Sequence, residues 1–249
     1  MAKRTLTENI KSFGVRRVLH YADRNPDKNI PKILNWLERH DKGGQVTSPV
    51  RVVRAAIAEP NNNWYRLVSS LWTDVDAGVR MRLFENFVIN ASMIGSPKQR
   101  QFSAQNNCNV PWAILMDPTY ACNLHCTGCW AAEYGNRLNL TYDELDSIIR
   151  QGTEMGTYFY IYSGGEPMVR KADIIRLCEA HPDCAFLAFT NGTLLDEAFM
   201  DDMLRVKNFV PAISIEGFRD ATDNRRGEGT YDKVVETMQK LKQKKLPFG

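Results

Sequence analysis

The chain has 249 residues, 43% of them hydrophobic and 16 of them glycine, a composition ordinary for one or two folded domains and excluding disordered, collagenous or low-complexity material. Lys and Arg number 32 against 29 Asp and Glu; the net charge of +3 is too mild an excess to argue for a nucleic-acid partner. No run of about 18 apolar residues predicts a membrane span, and the basic start, Met1 to Tyr21, lacks the apolar stretch of a secretory signal. Six cysteines are too few for a disulfide scaffold. Three of these lie between Cys122 and Cys129, which points to a metal site in a reducing compartment, so a cytoplasmic location is expected.

Before residue 100 the patterns are helical. Ile10, Phe13, Val18 and Leu19 recur at near-helical spacing, and Ile33, Leu34 and Leu37 mark a second segment. Ser48-Pro49 reads as an N-cap with proline at the first helical position, opening a helix through Ile57. Asn63 is positioned to cap a helix carrying Trp64, Leu67, Val68 and Leu71. The longest segment, from near Asp74, aligns Leu83, Phe84, Phe87, Val88, Ala91 and Ile94 on one stripe and is expected to stop at Gly95-Ser96-Pro97. A small helical domain, residues 1–100, is therefore expected, its aromatic residues packing in a core. The polar run Lys98 to Asn107 reads as a linker reaching to about residue 110.

From Pro111 strands and helices alternate. Strands are predicted at 112–116, 158–162, 185–189 and 210–215. Helices are predicted at 141–155, with Thr141 and Glu144 as a capping box, then at 171–180, 196–206 and 231–244. Strands each followed by a helix imply a parallel sheet, either an α/β barrel or a doubly wound sheet. Leu246 to Gly249 looks like the start of a fifth strand, so the chain reads as a fragment of a longer protein.

In such sheets function gathers at the carboxyl ends of the strands. The first strand leads into Cys122-Asn123-Leu124-His125-Cys126-Thr127-Gly128-Cys129, and the second into Ser163-Gly164-Gly165-Glu166-Pro167. Thr190-Asn191-Gly192-Thr193 follows the third, and Ser214-Ile215-Glu216-Gly217 ends the fourth. Three thiolates can hold three irons of a cubane cluster and leave one iron open. The alternative is a structural zinc, which wants a fourth ligand; His125 and Cys108 are available, neither at a familiar spacing. Cys108, Cys178 and Cys184 read as buried or incidental thiols.

Paired glycines let backbone approach a ligand closely, and Glu166 offers a carboxylate suited to an ammonium group; a plain turn is the competing reading. Ser214 and Glu216, two apart on a strand, face one side and suit the diol of a ribose, or equally a solvated strand end. Arg226 is suited to bidentate pairing with a carboxylate, or to open solvent.

Together the CxxxCxxC loop, GGEP, TNG, the Ser214–Gly217 strand end and Arg226-Gly227-Glu228-Gly229-Thr230-Tyr231-Asp232 resemble the radical S-adenosylmethionine superfamily, from Pro111 to the end. The resemblance implies a partial (βα)6 barrel, truncated after about four βα units and spanning residues 111–249, with a [4Fe-4S] cluster and S-adenosylmethionine as cofactors. It implies that Cys122, Cys126 and Cys129 ligate the cluster and that Gly164, Gly165 and Glu166 face the methionine amino group. Asn191 falls in the same cofactor-binding set; Ser214 and Glu216 lie near the ribose and Arg226 near the cofactor carboxylate. Many members carry an aromatic residue before the third cysteine, where this chain has Gly128. The activity so implied is reductive cleavage of S-adenosylmethionine, yielding a 5′-deoxyadenosyl radical that takes hydrogen from an unidentified substrate. A flavodoxin- or ferredoxin-type donor would supply the electron. The competing function is a non-catalytic iron–sulfur or zinc scaffold or electron relay.

Overall fold

The computed structural model describes residues 6–40, 47–59, 61–133 and 138–249. Its internal contacts divide the chain at Met81/Arg82 into two compact units.

The first unit is helical: α1 Leu6–Arg24, α2 Pro26–His40, α3 Thr47–Ile57, α4 Asn63–Thr73 and the start of α5 Ala77–Phe84. Helix α3 ends at Ile57 as expected but begins at Thr47, one residue before the expected cap. The cap of α4 is Asn62, not Asn63, because its backbone is extended (φ −74°, ψ 141°) and its side chain accepts from the Trp64 N–H. The aromatic residues divide between two faces. Trp72 donates its indole N–H to Asp23 at 2.9 Å, Arg80 bonds the same carboxylate, and Tyr65 donates to Asp27. Trp64 and Leu67, expected in the core, are 63% and 57% exposed, and Ile10 and Phe13 are also exposed.

The second unit opens with the end of α5, a π-helix Glu85–Gly95 and α6 Ser96–Asn106. Here the sequence expectation fails twice. The helix does not stop at Gly95-Ser96-Pro97, and the presumed linker is helical to Asn106. Pro97 sits in the first turn of α6, directly after the π-helix, with Gly95 and Ser96 both in helical conformation. Gly95 is a packing glycine: a Cβ there would lie 2.4 Å from the carbonyl oxygen of Gly156. The π-helical winding also alters the expected apolar stripe: Ala91 and Ile94 are buried as expected, but Asn86, Ile89 and Asn90 are buried with them and Phe84 is exposed. Asn86 donates to the carbonyls of Pro182 and Cys184, Asn90 to that of Asp183, so these amides satisfy the turn that precedes the third strand.

Strands β1 Ala113–Thr119, β2 Phe159–Gly164, β3 Ala185–Thr190 and β4 Phe209–Ile213 form one parallel sheet in the order β1-β2-β3-β4. Between them run α7 Tyr142–Met155, α8 Lys171–Ala180 and α9 Glu197–Val206, followed by α10 Arg219–Arg226 and α11 Thr230–Gln243. Together with the helical N-terminal region this is a partial (βα)n barrel, the fold class expected. The Thr141–Glu144 capping box is present, and Asp196 caps α9. Helix α10, RDATDNRR, was not predicted because it has no apolar periodicity to read.

Side chains alternate across the sheet. Met116, Tyr160, Tyr162, Phe186 and Ala188 are buried on one face, with Ile174 and Leu177 of α8 and Met200 and Met203 of α9 also in the core. The Tyr160 hydroxyl donates into the carbonyls of Ile149 and Thr157 at 3.0 Å, in space that a Cβ at Gly152 would fill. On the other face Leu115 and Phe189 are 57% and 49% exposed. Gly249 bonds Pro211 and Ile213 of β4 through its N–H and C=O, the start of a fifth strand that Leu246 to Gly249 predicted. Among the described residues no helix is long and apolar enough to cross a membrane.

Candidate functional site

The carboxyl ends of all four strands meet around the cysteine loop. Backbone bonds seat it: Glu166 N–H donates to Ala121 C=O at 2.8 Å, Gly165 N–H to Thr119 C=O at 2.9 Å, and Thr127 N–H to Arg225 C=O at the end of α10 at 2.8 Å. Cys126 C=O and Cys129 N–H close a turn at 3.2 Å. Within that turn Gly128 has φ +70°, a conformation that strains any residue with a Cβ; this is the local reason for glycine at the position where the resemblance noted a departure.

Cys122, Cys126 and Cys129 are free and partly exposed. Cys122 Sγ accepts from Leu124 N–H at 3.4 Å. Burial raises the Cys122 thiol above its ordinary range, opposed by that N–H and reinforced by the charges of Glu166 and the other two cysteines. Burial also raises Cys126, while the Arg226 cation pulls it back down. Among the described residues no group of three or more His, Cys, Asp or Glu is gathered as a single metal ion requires. The remaining cysteines match expectation in part: Cys178 and Cys184 are buried, Cys108 exposed.

Glu166 is 1% exposed and is held by protein donors. Its Oε1 accepts from Thr190 Oγ1 at 2.6 Å and Met168 N–H at 3.0 Å; its Oε2 accepts from Asn191 N–H at 2.7 Å. The carboxylate thus ties the end of β2 to the end of β3. Burial raises its pKa, and the three donors oppose the rise. The two glycines serve the same closure. A Cβ on Gly165 would lie 2.4 Å from Ala121 O, and one on Gly164 would lie 2.6 Å from Thr119 O at a φ of +100°.

Asn191 reaches back to the cysteine loop. Its Nδ2 donates to Asn123 Oδ1 at 3.0 Å, its Oδ1 accepts from Thr193 N–H and Oγ1, and Asn123 Nδ2 donates to Thr193 Oγ1 at 2.8 Å. Sequence reading missed Asn123 and Thr193 as parts of the site; the one available signal was the position of Asn123 between two of the cysteines.

Ser214 N–H donates to Thr190 C=O at 2.9 Å. Glu216 pairs bidentately with Arg226, at 2.6 Å from Nε and 2.7 Å from Nη2, and also with Arg225 at 3.0 Å. These bonds hold the Glu216 carboxyl below the usual glutamate range. The structure therefore brings Glu216 and Arg226 together as a pair, and Nη1 of Arg226 takes no part in that pairing.

Parallel strands, a three-cysteine loop after the first and a glycine–glutamate turn after the second define a class, and the sequence comparisons agree with it. The profile of the radical SAM superfamily matches residues 116–248, more than half of the chain. The chain belongs to that superfamily. An uncharacterised protein of Archaeoglobus fulgidus is 32% identical over 126 residues, 49% of this chain and 30% of that one. Two Methanosarcina barkeri proteins follow. Fe-coproporphyrin III synthase is 28% identical over 60% of this chain and 37% of its own length, and AdoMet-dependent heme synthase 30% identical over 56% and 42%. The chain thus spans less than half the length of these relatives. Among solved structures, Streptococcus suis SuiB bound to its precursor peptide SuiA superposes with a TM-score of 0.52 at 20% identity, over 61% of this chain and 35% of SuiB. SuiB bound to S-adenosylmethionine gives 0.52 at 16% identity, over 94% and 48%. At these identities the likeness is one of fold.

Proposed function

We propose that this chain is the cofactor-binding part of a radical S-adenosylmethionine enzyme, with Cys122, Cys126 and Cys129 holding a [4Fe-4S] cluster. One observation carries the reading: the cysteine loop is bonded, through Asn123, Ala121 and Thr127, to the GGEP turn, the TNG loop and α10, so that four strand ends serve one place. The donor set suits the cluster. Three unpaired thiols stand on one short loop, half-open to solvent, and each thiolate of a cubane binds a different iron, so the sulfurs need not converge on a point. When bound, the cluster supplies the electron that cleaves S-adenosylmethionine to methionine and a 5′-deoxyadenosyl radical, which takes a hydrogen atom from the substrate.

The chain's own residues then have separable work. Glu166 fixes the GGEP turn against β3 and keeps a lone pair on Oε2 for the methionine ammonium group; Gly164 and Gly165 let that turn close. Asn123, Asn191 and Thr193 hold the cysteine loop in shape. Glu216 orients Arg226 so that Nη1 is available to the cofactor carboxylate, and Ser214 serves the ribose. The substrate and the low-potential electron donor belong to the whole protein. The names of relatives span porphyrin, peptide and nucleotide chemistry, among them Bradyrhizobium diazoefficiens PqqA peptide cyclase and Shewanella denitrificans GTP 3',8-cyclase, so the hydrogen donor is left as an organic molecule of unspecified kind.

The test is anaerobic reconstitution with iron and sulfide, then dithionite and S-adenosylmethionine. 5′-Deoxyadenosine is expected from the wild type and none from Cys126→Ala, which is also expected to lose bound iron. Undiminished product or iron in Cys126→Ala, or zinc as the only metal retained, overturns the assignment.

A further inference from the structure

The mild charge of the whole chain conceals a basic helical unit. Arg4–Met81 holds 13 Lys and Arg against 8 Asp and Glu, and the rest of the chain 19 against 21. Several of the unit's acids are engaged: Asp23 with Arg80, Glu38 with Arg54, and Asp76 with the N–H groups of Gly78 and Val79. Helix α1 sets part of the excess beside apolar side chains. Leu6, Ile10, Phe13, Arg17, Tyr21 and Arg24 recur every three or four residues and so form one row along the helix. The whole row is exposed, with Leu6, Ile10 and Phe13 at 77%, 63% and 62%. The Arg17 guanidinium lies over the Phe13 ring, 5.3 Å from its centroid. Among the described residues no acid pairs with Arg17 or Arg24, and Asp23 of the same helix is turned to Trp72 and Arg80.

An apolar row with cations in it calls for an occupant that is both apolar and anionic. A second copy offering the same face would set arginine against arginine. A peptide or a partner helix is received in a groove, and side chains exposed to this extent are not recessed between helices. A lipid surface needs neither a groove nor self-complementarity: apolar tips enter the acyl boundary while guanidinium groups meet the phosphates. The α1 row divides in that sense, with three apolar side chains in its first half and Arg17 and Arg24 in its second.

We propose that α1 seats the helical unit on an anionic phospholipid surface, lying in the plane of the interface rather than crossing it. The test is co-sedimentation of the full 249-residue chain with vesicles of phosphatidylcholine alone and of an equimolar mixture with phosphatidylglycerol. Binding to the mixture is expected to be at least about tenfold tighter than to phosphatidylcholine, and to weaken as sodium chloride is raised. Phe13→Ser is expected to weaken it about tenfold by removing an inserted ring, and Arg17→Gln and Arg24→Gln about fivefold each. All three positions are exposed, so each variant is expected to keep the thermal midpoint of the wild type, which separates lost contact from lost fold. Three results overturn the proposal: no binding to the mixture; binding that Phe13→Ser leaves unchanged, as contact with any acidic polymer would give; or self-association in gel filtration that Phe13→Ser abolishes, which would assign the face to a second copy. The proposal uses no cluster, so the vesicle and 5′-deoxyadenosine assays fail independently.

Discussion

At the scale of single residues, two carboxylates are set in opposite directions, Glu166 raised by burial and Glu216 lowered by its arginine partners. Glu166 answers three donors from inside the protein, so Glu166→Gln replaces an acceptor oxygen by an NH2 that faces the Asn191 N–H or the Thr190 hydroxyl. A loss of about 1–3 kcal/mol is expected, read as a lower urea midpoint at unchanged slope. Glu216 has its folded pKa depressed, chiefly by the Arg226 hydrogen bonds. A depressed carboxylate contributes stability above its unfolded pKa and loses it as pH falls through the lower folded value. The Glu216→Gln variant should therefore differ from wild type at neutral pH and converge with it in acid. The two side chains are only 18% and 13% exposed, so the neutral-pH difference should be about 1–3 kcal/mol, as for hydrogen bonds to a charged group. A difference that grows on acidification would contradict the pairing. Cys122, Cys126 and Cys129 were legible as a candidate site from spacing alone. The partners of Glu166 were not, because Thr190 and Asn191 meet it only through sheet register, 24 and 25 residues away in the chain.

At the scale of elements, the cysteine loop is shaped by its neighbours more than by itself. Asn123→Ala removes the amide that both donates to Thr193 and accepts from Asn191. Faster amide exchange across 122–129 is expected, with β1 to β3 protected as before; unchanged exchange in the loop would deny it this clamp. The two glycine contacts differ in kind from the clamp. Gly165→Ala forces backbone apart at 2.4 Å and should cost more than the ordinary surface substitution, about 2 kcal/mol or greater. Most strands and helices after Pro111 lie within two residues of their predicted limits, because alternating and 3.6-residue apolar patterns read out which face is buried. Helix α10 had no such pattern, and the π-helix kept Ala91 and Ile94 of its expected stripe buried while its winding also buried Asn86 and Asn90.

For the molecule as a whole, the contacts separate a helical unit ending at Met81 from the unit Arg82–Gly249. The bonds that close the second unit run between its own parts: Asn86 to the turn before β3, Asn191 to the cysteine loop, Gly249 to β4. A chain beginning at Arg82 is therefore expected to keep a cooperative thermal transition and the far-UV signature of a mixed α/β fold. Loss of cooperativity would show that the sheet depends on residues before 82.

The amino-acid sequence alone determined the alternation of strand and helix, the superfamily and the three-cysteine loop after the first strand, since periodicity, capping and short spacings are local and survive reading along one dimension. Only the tertiary structure decided where the helical units divide, that Trp64 and Leu67 face outward, and that Glu216 answers Arg226. Those outcomes depend on which surfaces meet when the sheet closes, and no residue carries that information except in contact with the others.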